Sequence, residues 1–261
     1  MFDCFHDITP IEEYRIDSYP VLVKREDMFG SLPAPPLAKL RGASKLLLRL
    51  KREGITRVAI FDTRVSKSGL GVAYICRELG MDTLVGFPRG KYFDTKNEEA
   101  LQSLGAETLP IKAALNSISY REFRDKAISR GYYILPQGLV CQEAVEEVSK
   151  VAATLPEVAT VVVCTGTGTI ATGIALGCNA KIIGISCGMN ISKQYARMRQ
   201  LCWPRALPDI ELLDSGYSYY DKGEVEPPFP SHPYYDYKAW EWLYKNISYL
   251  KQPVLLWNIG A

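Results

Sequence analysis

The stretch Ala159-Thr-Val-Val-Val-Cys164-Thr-Gly166-Thr167-Gly168-Thr169-Ile-Ala-Thr-Gly173 decides how this chain is read. Residues 159–164 form an unbroken, largely β-branched run, the pattern of a strand covered on both faces in a parallel sheet. Glycines and threonines follow at once, and helical spacing resumes after them. Glycine lets a backbone approach an anion closely, while the first turn of a helix offers unpaired N–H groups at the positive end of its dipole. Thr167 and Thr169 add hydroxyl donors. A phosphate is the natural occupant. The third glycine comes too late for a dinucleotide fingerprint, and the Gly-Lys-Ser/Thr of a P-loop is missing. An isolated phosphate therefore fits Gly166, Thr167, Gly168 and Thr169 better than either nucleotide motif.

Outward from this loop, strands and helices alternate. Strand patterns occupy residues 58–61, 83–87, 107–111, 132–135, 180–185 and 254–257. Helical patterns occupy 69–79, 96–104, 120–129 and 141–155, with Gly80, Gly105 and Gly131 as C-terminal stops. Such alternation implies right-handed βαβ crossovers and a parallel α/β architecture. Two stretches break the rhythm. Ser31-Leu-Pro-Ala-Pro-Pro36 cannot be regular helix, because its prolines lack N–H donors. Residues 214–237, rich in Tyr and Pro, read as an extended loop. Long irregular segments inside compact enzymes are often parts of active sites.

Composition excludes several classes. Hydrophobic residues make up 47% and charged residues 23% of the chain, an ordinary globular balance. The net charge of +2 is spread among mixed signs, which argues against a dedicated nucleic-acid surface. No apolar run approaches the roughly 18 residues of a membrane span, and residues 1–7 lack the basic and apolar stretches of a signal peptide. The seven cysteines contain no C-x-x-C pair and read as reduced thiols. A cytoplasmic protein is expected. With two histidines in the chain, a His-rich metal site has few ways to form, and no metal is expected.

Upstream stands Val23-Lys-Arg-Glu-Asp27-Met-Phe-Gly30, followed after the proline stretch by Lys39-Leu-Arg41-Gly42-Ala43. This resembles the signature of fold type II pyridoxal 5′-phosphate (PLP) enzymes, the tryptophan synthase β-subunit superfamily. Ser66-Lys67-Ser68-Gly69-Leu-Gly71-Val-Ala73 is similar to that family's substrate-carboxylate loop and the helix after it. Leu135-Pro136-Gln-Gly138 resembles a turn in the deaminase and desulfhydrase branch, and the Gly/Thr loop falls where the family holds the cofactor phosphate. His232-Pro233-Tyr-Tyr235-Asp-Tyr-Lys238-Ala239 and Leu256-Trp-Asn-Ile-Gly260 are similar to its closing elements. The nearest branch contains 1-aminocyclopropane-1-carboxylate deaminase and D-cysteine desulfhydrase.

The resemblance implies a two-lobed α/β fold with parallel sheets flanked by helices. Residues 43–130 would form the smaller lobe, and 1–42 with 131–261 the larger, with PLP in the cleft between them and a homodimer as the assembly. Lys39 would carry the cofactor as a Schiff base. Ser66, Ser68 and the N–H groups near Gly69 would hold the carboxylate of a small amino acid. Tyr217, Tyr219 or Tyr220 would supply a second acid or base. Three positions depart from the pattern. Lys67 replaces the asparagine that contacts the cofactor's 3′-oxygen, Ser68 replaces a histidine, and Ile259 stands where a Ser or Thr often faces the pyridine nitrogen, with Asn258 as its neighbour. The implied reaction is a lyase or deaminase type, with β-replacement as the variant.

Two readings of other classes compete. Gly184-Ile-Ser186-Cys-Gly188 matches the G-x-S-x-G of serine hydrolases, and Asp214 and His232 follow in α/β-hydrolase order. The departures at Lys67 and Ile259 would also suit a protein that binds PLP without catalysis.

Overall fold

The apolar runs assemble into two separate sheets. The computed structural model describes residues 8–29, 38–63, 65–89 and 95–260. Its contacts divide the chain into two units. Of the described residues, 8–29, 38–42 and 141–260 belong to the first and the remainder to the second. The proline-rich stretch 31–36 lies outside the described residues.

The first unit is built on a six-stranded sheet in the order β1-β2-β10-β7-β8-β9. It comprises β1 (Ile11–Ile16), β2 (Tyr19–Arg25), β7 (Thr160–Thr165), β8 (Lys181–Ser186), β9 (Ile210–Asp214) and β10 (Val254–Asn258). β2, β10, β7, β8 and β9 run parallel. β1 pairs antiparallel with β2, Ile16 facing Tyr19 across a two-residue turn in which Asp17 has φ 52°. This hairpin departs from the all-parallel expectation. Its outer strand β1, Ile11-Glu-Glu-Tyr-Arg-Ile16, is only partly buried and lacks the continuous apolar run of a covered parallel strand.

β7 and β10 are buried at every position, as the sequence of 159–164 requires. Helices α5 (Gln142–Ala152), α6 (Thr169–Gly177), α7 (Ile191–Cys202) and α8 (Asp236–Asn246) belong to this unit. α5 and α6 pack backbone to backbone, since a Cβ at Gly173 would lie 2.6 Å from Val148 Cβ and 2.9 Å from Val145 O. The core holds Val161, Val162, Val163, Ile183, Leu255, Leu256 and Trp257.

The second unit carries a parallel four-stranded sheet in the order β5-β4-β3-β6, formed by β3 (Arg57–Phe61), β4 (Asp82–Arg89), β5 (Glu107–Lys112) and β6 (Tyr133–Ile134). Helices α2 (Ser68–Leu79), α3 (Thr95–Ser103) and α4 (Asn116–Ser129) connect the strands. α2 ends at Gly80 in the left-handed conformation, φ 64°, a geometry that a side chain would strain. Phe61 packs on Phe123 at 5.4 Å between ring centroids over Ala59, Leu84 and Ile111. Residues 131–140 belong to this unit rather than to the first, because β6 pairs with β3. Helix α1 (Leu40–Arg52) begins in the first unit and continues in the second.

The end of β2 is unusual. Lys24, Arg25, Glu26 and Asp27 are all buried. Glu26 is wholly enclosed and takes both hydrogen bonds of a bidentate pair from Arg41, at 2.9 and 3.0 Å. The Thr9 hydroxyl also donates to it, and Lys24 Nζ stands 4.0 Å away. The Arg41 guanidinium lies 3.8 Å from the ring centroid of Phe29. Removing one partner of a buried pair strands the other charge. Arg41→Met is expected to lower the unfolding free energy by about 3–5 kcal/mol, read by urea titration. The double variant with Glu26→Leu should recover part of that loss.

Candidate functional site

The parallel strands of the first sheet end together. Asn258 of β10, Thr165 of β7, Ser186 of β8 and Asp214 of β9 lie along one edge, with Arg25 of β2 beside Asn258. In open parallel sheets, ligands bind beyond this edge.

The Gly/Thr loop occupies its middle, between β7 and α6. Gly168 has φ 88°, and a Cβ there would meet Met198 Cγ at 2.6 Å, so both the turn and the packing call for glycine. Gly166 faces open space, with nothing within 4 Å of an added Cβ. The Thr167 and Thr169 hydroxyls are 2.9 Å apart, and Thr172 Oγ1 donates to Gly168 O at 2.9 Å, which steadies the first turn. Donors, space and helix dipole thus converge as an anion cup requires.

Lys39 is half-buried and directly precedes α1. Ala38 N–H donates to Ile259 O at 2.9 Å, pinning the residue before the lysine to the end of β10. Asn258, fully buried, donates through Nδ2 to Asp27 Oδ1 and to Pro230 O, each at 2.8 Å. Asp27 in turn makes a bidentate pair with Arg25, at 2.9 and 2.8 Å. The sequence reading marked Asn258 for the cofactor. Its amide nitrogen is committed to these two acceptors, and Oδ1 has no hydrogen-bond partner among the described residues.

Asp236 carries no motif that marks it in the sequence. This residue opens α8 and is fully buried. Its Oδ1 accepts from Ile259 N–H at 2.9 Å, and its Oδ2 has no hydrogen-bond partner among the described residues. Burial outweighs the N–H groups of Ile259 and His232 and holds this carboxyl well above the usual carboxylate range. An acid opening a helix reads in sequence as an ordinary first-turn residue. Its burial came from the tertiary fold.

The tyrosine-rich loop covers the same edge. A Cβ at Gly188, just past β8, would stand 2.5 Å from both Tyr217 O and Tyr219 N, so the loop lies directly on that strand's end. Fully buried Lys238 donates to Ser218 O at 2.9 Å, and burial pushes its ammonium down. Tyr217, expected as an acid or base, instead donates to Glu241 Oε2 of α8 at 2.8 Å. Burial first, then this bond to Glu241, push its phenol up to about 12. That favours a strap role. Tyr219 and Tyr235 share a hydrogen bond, their hydroxyls 2.6 Å apart.

Ser66, Lys67, Ser68 and Gly69 belong to the second unit, where they open α2. Ser68 N–H donates to Ser66 Oγ at 3.2 Å, and the two hydroxyls are 3.1 Å apart. Asp62 Oδ2 accepts from Gly69 N–H at 2.5 Å, so the donor expected to hold a substrate carboxylate is already taken from within the chain. Burial pushes the Lys67 ammonium down. Asp62 directly follows β3, an apolar strand ending in an acid, and that position was the signal available in sequence.

The hydrolase arrangement does not hold. Ser186 is fully buried, donates to Met189 O at 2.9 Å and accepts from Gln194 Nε2 at 2.7 Å, whereas Asp214 is exposed and bonded to Gly216 N–H. A nucleophile elbow needs an exposed hydroxyl. Among the described residues no group of His, Cys, Asp and Glu is placed to hold a metal, and no helix is long and apolar enough to cross a membrane.

Residues 8–201 match the family described as "Pyridoxal-phosphate dependent enzyme". The chain is 32% identical over 276 residues to the glycyl-dTMP PLP-dependent decarboxylase of Pseudomonas phage M6, covering 97% of this chain and 98% of that protein. Its fold is similar to an ACC deaminase homologue, with TM-score 0.85 at 19% identity over 99% of this chain and 90% of that one. It is also similar to Escherichia coli diaminopropionate ammonia lyase, with TM-score 0.67 at 16% identity over 98% and 83% of the two chains.

The raised Tyr217 phenol gives a test of its strap role. Tyr217→Phe is expected to keep turnover close to wild type while lowering stability by about 1 kcal/mol, from steady-state kinetics and urea titration. The folded state holds the phenol proton more tightly than the unfolded chain does. Its contribution is therefore full below pH 10 and lost as pH rises through about 12.

Proposed function

Because the chain belongs to the pyridoxal-phosphate-dependent enzyme family, we propose that it is a decarboxylase acting on a glycyl group carried by a thymidylate. One observation carries this reading: the 32% identity to the phage M6 decarboxylase runs over nearly the full length of both chains. The fold is that of the type II PLP enzymes, as the sequence resemblance implied. Cytoplasmic location and a homodimer stay part of the proposal, the latter because symmetric dimers are the commonest soluble assemblies.

The residues present fit the cofactor. Gly166, Thr167, Gly168 and Thr169 offer an open, donor-lined cup for its phosphate. Lys39 would hold its aldehyde carbon. Oδ2 of Asp236, on the same sheet edge and without a hydrogen-bond partner among the described residues, is the group we assign to its ring nitrogen. When bound, PLP supplies an electron sink for the pair left as a bond at the substrate's α-carbon breaks.

In the proposed reaction the bond between α-carbon and carboxylate breaks, carbon dioxide leaves, and a proton reaches the α-carbon in its place. Lys39 Nζ would hold and deliver that proton. Tyr219 and Tyr235, joined at their hydroxyls, form the second candidate donor. In the loop that the family resemblance assigns to the substrate carboxylate, Asp62 has taken the Gly69 N–H. A weakened clamp suits a carboxylate that leaves better than one that stays.

A deaminase or eliminating lyase is the second reading. The Ser66–Ser68 hydroxyl pair favours it, since these hydroxyls could still bind a retained carboxylate. The products separate the two. With PLP, the wild type is expected to show a visible cofactor band that Lys39→Ala lacks, and to release carbon dioxide from glycyl-thymidylate without ammonia. Ammonia with a keto product in place of carbon dioxide would establish the deaminase. No cofactor band would end both.

A further inference from the structure

The loop after β9 and the turn before α8 gather aromatic residues from anchors at the ends of β8 and β10, the strands that flank β7. Tyr219 follows the segment seated on the end of β8. Tyr235 directly precedes Asp236, which is bonded to Ile259 at the end of β10. In the sheet, β7 lies between these strands, so the cup stands between the two aromatic anchors. Tyr219 packs edge-on against Tyr220 with centroids 5.1 Å apart and against Tyr235 at 6.0 Å. His232 lies 4.6 Å from the Tyr235 ring and 5.9 Å from the Tyr234 ring. The collar does not close over itself. Tyr220 keeps 43% of its surface exposed. Exposed Lys222 sits with its ammonium 5.7 Å from the centroid of Tyr234.

We propose that this collar recognises the nucleotide part of the substrate, with Tyr220 and Tyr234 flanking the pyrimidine ring and Lys222 pairing with its phosphate. The inference rests on the decarboxylase reading for the identity of that nucleotide, and on the geometry for its place. Aromatic faces stack on nucleobases without needing base-specific hydrogen bonds, and a nearby cation adds phosphate affinity. The even spread of charge argued against a dedicated nucleic-acid surface. Capture of one nucleotide needs no basic stripe, because a few rings and one lysine supply the contacts. The recognised unit is a thymidine phosphate, either free or within a single strand of DNA.

The PLP-loaded enzyme tests this with two probes, a fluorescent single-stranded oligothymidylate read by anisotropy and dTMP as its competitor. Tyr220→Ala is expected to weaken oligonucleotide binding about tenfold. Lys222→Gln should reduce the slope of log affinity against log salt by about one. The visible cofactor band, kept in both variants, shows that they fold. Competition by dTMP would show that one free nucleotide suffices, and binding of the oligonucleotide alone would assign the site to polymer DNA. Either outcome upholds the collar. Wild-type binding of neither probe, or affinities unchanged in both variants, would overturn it. Loss of carbon dioxide release with these binding effects intact would remove the decarboxylase reading and leave the collar standing.

Discussion

Buried charge at the end of β2 holds together the part of the first unit that frames Lys39. Glu26 fixes Arg41 at the start of α1, and Asp27 joins Arg25 to Asn258 at the end of β10. Burying several charges side by side is costly unless each finds a partner with good geometry. Here bidentate pairs and a face-on aromatic contact supply those partners. The same bonds orient the backbone on either side of Lys39.

Much of this was legible in sequence where local physics decided it. The β-branched run before Gly166 could only be a covered strand, and the Gly/Thr loop after it could only be a turn into a helix. Gly80 and Gly131 each fell at a left-handed stop after a helix. The edge strand β1 was not legible, since Ile11-Glu-Glu-Tyr-Arg-Ile16 offers no continuous apolar run. Residues 131–140 read as part of the larger unit because two-residue β6 is too short to announce its partner. That pairing is a long-range choice.

Within the candidate site, motif and burial carried different information. Lys39 and the Gly/Thr loop were singled out by residue type and order. Asp62 and Asp236 were not, because their significance lies in where the fold puts an ordinary acid. Tyr217 illustrates the converse. Its place in an aromatic loop suggested chemistry, yet its hydroxyl is spent on Glu241. Ser186 carried a respectable motif into full burial. A hydroxyl with both its donor and its acceptor capacity satisfied is a structural group.

The position of β10 has a consequence for how the protein is made. Among the described strands this one is last in sequence, yet it lies between β2 and β7, both of which precede it. Until residues 254–258 leave the ribosome, the β1–β2 hairpin and the β7–β8–β9 ribbon are separate pieces, each with an open edge toward the missing strand. The backbone carbonyl of Ile259, which anchors Ala38, arrives later still. Until β10 is made, Lys39 and the Gly/Thr loop therefore do not share a frame. The order of synthesis thus leaves the frame around Lys39 incomplete until β10 slots between strands made long before it.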